Sequence, residues 1–125
     1  MTGRILVVED NPLNLKLLRD VLQAHGYHVV EATTGEDGLA AVAHTPPDLV
    51  LMDLQLPGLD GTQTMARMRA AGLGAGVPIV AVTAFAMATD RELALAAGFD
   101  GFIEKPISVR SLPDQVRSYL DARER

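Results

Sequence analysis

Four apolar runs punctuate the chain, and each is unbroken. Ile5-Leu6-Val7-Val8, Leu49-Val50-Leu51-Met52, Ile79-Val80-Ala81-Val82 and the shorter Phe102-Ile103 contain no polar residue. A strand with one wet face alternates polar and apolar residues, whereas a strand covered on both faces reads as a continuous apolar stretch. The pattern therefore predicts buried parallel strands near Ile5–Glu9, His28–Ala32, Leu49–Asp53, Ile79–Thr83 and Gly101–Glu104. Between them lie stretches with helical spacing. The first helix starts around Pro12-Leu13, where proline is tolerated in the first turn, carries Leu18, Val21 and Leu22 on one face, and stops at Gly26. Thr33-x-x-Glu36 and Thr89-x-x-Glu92 read as capping boxes opening the second and fourth helices. The third runs from about Gly61 to Ala70. The last holds Leu112, Val116, Tyr119 and Leu120, with Pro113 confined to its first turn. Five strand–helix repeats with short connections predict an α/β doubly wound parallel sheet.

The remaining composition narrows the class. At 125 residues, with 48% hydrophobic content, the chain is expected to form one domain over residues 1–125 around a single core. There is no cysteine, hence no disulfide or thiolate chemistry. No apolar stretch approaches the ~20 residues that span a membrane. The first strand begins almost at Met1, which leaves no room for a signal peptide, and a complete cytoplasmic protein of bacterial type, without an effector domain, is expected. The net charge of −5, without a basic stripe, argues against nucleic acid or an anionic membrane as the main partner.

The chemistry sits where the apolar runs end. In an open α/β sheet, ligands bind beyond the carboxyl ends of the strands. Glu9, Asp10, Asp53, Thr83 and Lys105 all fall at those ends. Singly, each has a plain reading: an aspartate cap, a threonine of high β propensity, a Lys-Pro loop. Jointly, they put three carboxylates, a hydroxyl and an ammonium in one pocket. Three clustered carboxylates repel, burial raises their pKa, and a divalent cation removes the conflict. An all-oxygen ligand set favours Mg²⁺ or Mn²⁺ over zinc. Asp10 and Asp53 are expected as direct ligands, Glu9 through water, and the backbone carbonyl of Gln55 as a further oxygen. Asp53 is the natural nucleophile, since a carboxylate can form an acyl phosphate. Lys105, one of two lysines against nine arginines, is a point charge suited to a phosphoryl oxygen, and Thr83 can donate a hydroxyl to it. The glycine-rich Gly72-Leu73-Gly74-Ala75-Gly76 precedes a strand, the wrong end for cradling phosphate, and reads as a connector. His25, His28 and His44 read as surface or boundary residues.

Glu9-Asp10, Asp53, Pro57-Gly58, Gly61, Thr83-Ala84 and Lys105-Pro106 together resemble the receiver domain of two-component response regulators, from end to end of the chain. The resemblance implies a flavodoxin-like, five-stranded sheet of order 2-1-3-4-5 with five helices and a cis Lys105-Pro106 bond. It implies phosphorylation of Asp53, with Mg²⁺, by a histidine kinase or a histidine phosphotransfer protein. Glu9-Asp10-Asn11, Thr83-Ala84-Phe85-Ala86-Met87 and Lys105-Pro106-Ile107-Ser108 are especially similar to stand-alone regulators of the DivK type, which act in cell division and polarity. The implied switch and interface positions are Thr83, Phe85, Phe102 and Pro106. Output is expected through the face of the fourth helix, fifth strand and fifth helix toward a signalling protein. Phe102 departs from many receivers, where tyrosine is common, and can switch only by packing. Gln55 and Phe85, two residues past Asp53 and Thr83, imply slow self-dephosphorylation, so the chain is not expected to be an enzyme otherwise.

Two other chemistries are weaker fits. A haloacid-dehalogenase-type phosphatase wants a second aspartate two residues past the first, and Gln55 stands there. A flavin-binding flavodoxin-like module needs a phosphate loop after the first strand, where Glu9-Asp10 would repel phosphate.

Overall fold

The computed structural model describes residues 3–84 and 87–123. Its elements are β1 (Arg4–Val8), α1 (Pro12–Ala24), β2 (His28–Ala32), α2 (Gly35–His44), β3 (Leu49–Asp53), α3 (Gly61–Ala70), β4 (Ile79–Thr83), α4 (Ala88–Ala97), β5 (Gly101–Glu104) and α5 (Leu112–Arg123). The five strands form one sheet of order β2-β1-β3-β4-β5, with every pairing parallel. Each crossover is a helix, as parallel neighbours require.

The strand pleat sorts the apolar runs into two cores. Leu6, Val8, Val50, Met52, Ile79 and Ala81 point to the face covered by α2, α3 and α4, where Met65, Met68 and Ala94 meet them. Ile5, Val7, Leu49, Leu51, Val80 and Val82 point to the opposite face, under Leu18 and Leu22 of α1 and Leu112 and Val116 of α5. The runs are continuous because both faces are covered, which is why β3 and β4 are buried at every residue.

Several boundaries differ locally from expectation. β1 ends at Val8, although the Glu9 amide still donates to the Ala32 carbonyl at 3.0 Å, one step beyond the strand. The cap of α2 is Thr34, not Thr33: its hydroxyl accepts from the Asp37 amide at 3.1 Å. α4 begins at Ala88, one residue before Thr89, with the Asp90 carboxylate accepting from the Met87 amide at 3.2 Å. At α2 the alternative cap, Thr33, sits one step away and has equal capping ability. α1 starts as expected, with Pro12 in its first turn and the Asn11 side chain accepting from the Leu13 and Asn14 amides. Pro113 lies in the first turn of α5. The three histidines are exposed. The Gly72–Gly76 connector lies at the amino end of β4, away from the carboxyl ends where Asp53 sits.

One contact ties α3 to the sheet. A Cβ on Gly61 would overlap the carbonyl oxygen of Asp53, so only glycine lets the start of α3 close onto the end of β3. Asp60 and Gln63 then complete a reciprocal capping box around that helix start.

Candidate functional site

The parallel sheet brings the carboxyl ends of β1, β3, β4 and β5 side by side. β1 and β3 pair in register from Ile5↔Leu49 to Val8↔Met52, so Glu9 and Asp53 emerge next to each other. Asp53 in turn pairs with Val82, one residue before Thr83. Thr83 pairs with Glu104, and the Lys105 amide donates to the Thr83 carbonyl at 2.8 Å. The Lys105-Pro106 bond is cis.

Glu9, Asp53 and Thr83 are almost wholly buried, while Asp10 is exposed. Carboxylate oxygens of Glu9, Asp10 and Asp53 all lie within 4.8 Å of one another. The Lys105 ammonium stands 2.9 Å from Glu9 Oε1 and 3.4 Å from Asp53 Oδ1. The Gln55 amide donates to Asp53 Oδ1 at 3.0 Å. Every residue expected at the strand ends is thus placed at one edge of the sheet. Phe85 lies outside the described residues.

One ammonium cannot match three carboxylates. Both Glu9 carboxylate oxygens are buried without a directed hydrogen bond. Lys105 is close enough for an ion pair with Oε1, but not aligned to satisfy it. A proton is the remedy within the chain. Burial pushes the Glu9 carboxyl up to about 7; the adjacent Asp53 carboxylate adds to the rise, and Lys105 only partly opposes it. Burial also acts upward on Asp53. The adjacent Glu9 carboxyl, the Gln55 amide and the Lys105 ammonium outweigh it, and Asp53 falls below the ordinary carboxylate value. Burial acts downward on Lys105, but its pairing with Glu9 and Asp53 raises it. The site therefore favours a proton on Glu9 over one on Asp53.

A divalent cation is the other remedy, and the donors fit it. The three carboxylates offer only oxygens, two negative charges remain unmatched after Lys105, and the exposed Asp10 opens the cluster to solvent. Hard-oxygen sets of this kind hold Mg²⁺.

Sequence reasoning missed the direct Glu9–Lys105 ion pair, because nothing in the spacing says that Lys105 reaches across β3 to β1. Phe102, on β5, meets both flanking helices: its side chain packs on the α2–α3–α4 face, with the Arg91 guanidinium 5.5 Å from its ring centroid, and its amide faces α5, donating to the Tyr119 hydroxyl at 3.1 Å. The alternation of β5 explains this: Ile103, the next residue, takes the α5 face.

A family model described as the response regulator receiver domain matches residues 5–117. The polar-differentiation response regulator DivK of Brucella ovis is 39% identical over 120 residues, covering 96% of this chain and 98% of its own. The receiver domain of a sensor histidine kinase from Pseudomonas aeruginosa, solved with magnesium coordinated in its active-site cleft, superposes with a TM-score of 0.87. It is 34% identical and is covered over 97% of this chain and 99% of its own. The BeF3-activated receiver domain of Klebsiella pneumoniae RstA gives 0.84 at 32% identity, over 94% and 97% of the two chains. Among the described residues no helix is long and apolar enough to cross a membrane.

The raised Glu9 pKa makes a prediction about stability without metal. A carboxyl whose folded pKa exceeds its unfolded value stabilises the fold when protonated, and that contribution is lost as pH rises through the folded value. For Glu9 the window runs from about 4.5 to about 7. Asp53, shifted the other way, loses its contribution only at lower pH. In EDTA, the melting temperature is expected to fall between pH 5 and pH 8 in wild type and to fall less in Glu9→Gln. Parallel profiles for the two proteins would contradict the proton assignment.

Proposed function

The chain belongs to the response regulator receiver domain family, and on that premise we propose that it is a phosphorylation switch whose phosphoacceptor is Asp53. The observation that carries this reading is the buried Asp53 carboxylate, 3.4 Å from the Lys105 ammonium. Asp53 attacks the phosphorus of a phosphohistidine on a histidine kinase or phosphotransfer protein. The N–P bond breaks, an acyl phosphate forms, and the histidine leaves as neutral imidazole, its ring proton supplied by solvent. Asp10 and Asp53 would hold Mg²⁺ directly, Glu9 through water and Gln55 through its carbonyl; bound there, the cation neutralises charge on the phosphoryl oxygens. Mn²⁺ shares the ligand preference and substitutes for it. Lys105 and Thr83 bind the phosphoryl oxygens of the product.

Apart from its own phosphorylation and slow dephosphorylation, the protein is a signalling component rather than an enzyme. The near full-length match to DivK supports a role in cell division and polarity, exercised in the bacterial cytoplasm. Output leaves through the surface of α4, β5 and α5, where Phe102 acts as the gate and Pro106 borders it. Phosphorylation adds about −1.5 to −2 charge at neutral pH. Two or three charge-assisted bonds of roughly 1.5–3 kcal/mol each compare with the ~5.5 kcal/mol that moves a two-state equilibrium from 1:99 to 99:1. The phosphoryl group therefore suffices to drive the switch, through closure of Thr83 and inward packing of Phe102. Phe85 cannot orient a hydrolytic water, so the phosphoryl group is long-lived.

Intact mass after incubation with a small phosphodonor tests the site. Wild type is expected to gain one phosphoryl group with Mg²⁺ and none with EDTA, and Asp53→Asn none in either. Followed over time, loss within seconds would contradict the role given to Phe85. Labelling of Asp53→Asn equal to wild type would remove Asp53 as acceptor. For the output, Thr83→Ala is expected to take up phosphate yet lose phosphorylation-dependent binding of the partner kinase; full wild-type response in that variant would refute the Thr83–Phe102 coupling.

A further inference from the structure

Phe102 is held from both sides of β5 by groups of different character. On the α5 side, the Tyr119 hydroxyl accepts the Phe102 amide at 3.1 Å. Tyr119 reaches that edge only because residue 101 is glycine: a Cβ there would overlap the tyrosine ring. This bond closes the outer edge of β5 and pins the backbone at the switch position. On the α4 side, the Arg91 guanidinium lies over the Phe102 ring, 5.5 Å from its centroid. The same guanidinium stands 3.5 Å from Glu104 Oε2, and Glu104 is the register partner of Thr83.

The consequence is geometric. With the backbone pinned by Tyr119, the Phe102 ring can move only by rotating about its own side-chain bonds, and the group lying over it is Arg91. A groove opens on the same face. Phe102 packs against the cluster containing Ala81, its register partner, and Ala94. Ala94, Ala97 and Thr83 also line an open groove of about 490 Å³ between α3 and α4. Small side chains therefore border the route from Phe102 toward Thr83.

We propose that Arg91 is a positioning residue that holds the Phe102 ring in place in the unphosphorylated protein, by stacking on it while paired to Glu104, and so sets the threshold for switching. This rests on the reading of Phe102 as the gate. Neither contact is strong alone, since an exposed cation–π contact and a surface ion pair are both weak. A weak latch suits a switch, because ligand affinity is reduced by the fraction of protein held in the wrong state. Removing the latch raises the affinity for a phosphoryl mimic without touching the phosphorylation pocket.

Fluorinated phenylalanine reads this directly. The chain has three phenylalanines, so fluorine NMR gives three resonances, and Phe102→Leu assigns the one of interest. Beryllofluoride with Mg²⁺ serves as the mimic. Arg91→Met keeps an apolar stem over the ring and removes the charge. It is expected to move the free-protein Phe102 resonance part-way toward its mimic-bound position. It is also expected to raise the apparent mimic affinity by about three- to tenfold, the scale of two weak contacts. Arg91→Lys, which can stack and pair in part, falls between Arg91→Met and wild type. If the mimic moves the Phe102 resonance of wild type but Arg91→Met matches wild type in resonance and affinity, the latch is refuted and the gate stands. If the mimic leaves the Phe102 resonance of wild type unmoved, gate and latch fall together.

Discussion

The structure turns on two carboxylates that a folded chain would ordinarily keep in water. Glu9 and Asp53 are buried at the ends of adjacent strands, within reach of Asp10, and share a single ammonium. An unpaired buried carboxylate is among the least favourable groups in a protein interior. Lys105 offsets part of the charge, a proton on Glu9 offsets more, and the remainder is a standing demand for a cation or a chemical change. Natural proteins tolerate such local conflict where it serves function.

The rest of the fold keeps the conflict in place. Parallel pairing sets Glu9 beside Asp53 and Asp53 beside the end of β4 without freedom to slip, because a one-residue shift would turn each apolar run inside out. Gly61 lets α3 close on the Asp53 carbonyl, and the Gln55 amide fixes Oδ1. The Asp53 carboxylate is therefore positioned by backbone rather than by flexible side chains. What remains adjustable lies further out, on β5 and α4 at Glu104, Phe102 and Arg91, where contacts are partly exposed and weak.

Much of this was legible from residue order. Continuous apolar runs encode a two-faced sheet, and Leu49–Asp53, Ile79–Thr83 and Gly101–Glu104 fall where those runs place them. Glu9, Asp10, Asp53, Thr83 and Lys105 were legible because strand ends converge in a parallel sheet, so their position in each run already states where they meet. The caps were less legible: Thr33 and Thr34 are chemically equal, and the choice depends on how the chain leaves β2. Least legible were the contacts made across elements. Arg91 over Phe102 and the Tyr119 hydroxyl on its amide depend on how α4 and α5 lie against β5, which no local pattern encodes. The protonation of Glu9 likewise depends on burial by the whole fold.

The account stands on the claim that the three carboxylates form one site for a divalent cation. Calorimetric titration of Mg²⁺ into wild type, Asp10→Asn and Glu9→Gln at pH 8 tests it most directly. One Mg²⁺ per chain is predicted for wild type. Asp10→Asn is predicted to lose affinity by about tenfold or more, the loss of one charge-assisted contact, and Glu9→Gln to lose less. A wild type that binds no Mg²⁺, or an Asp10→Asn variant that binds it equally well, would contradict the claim.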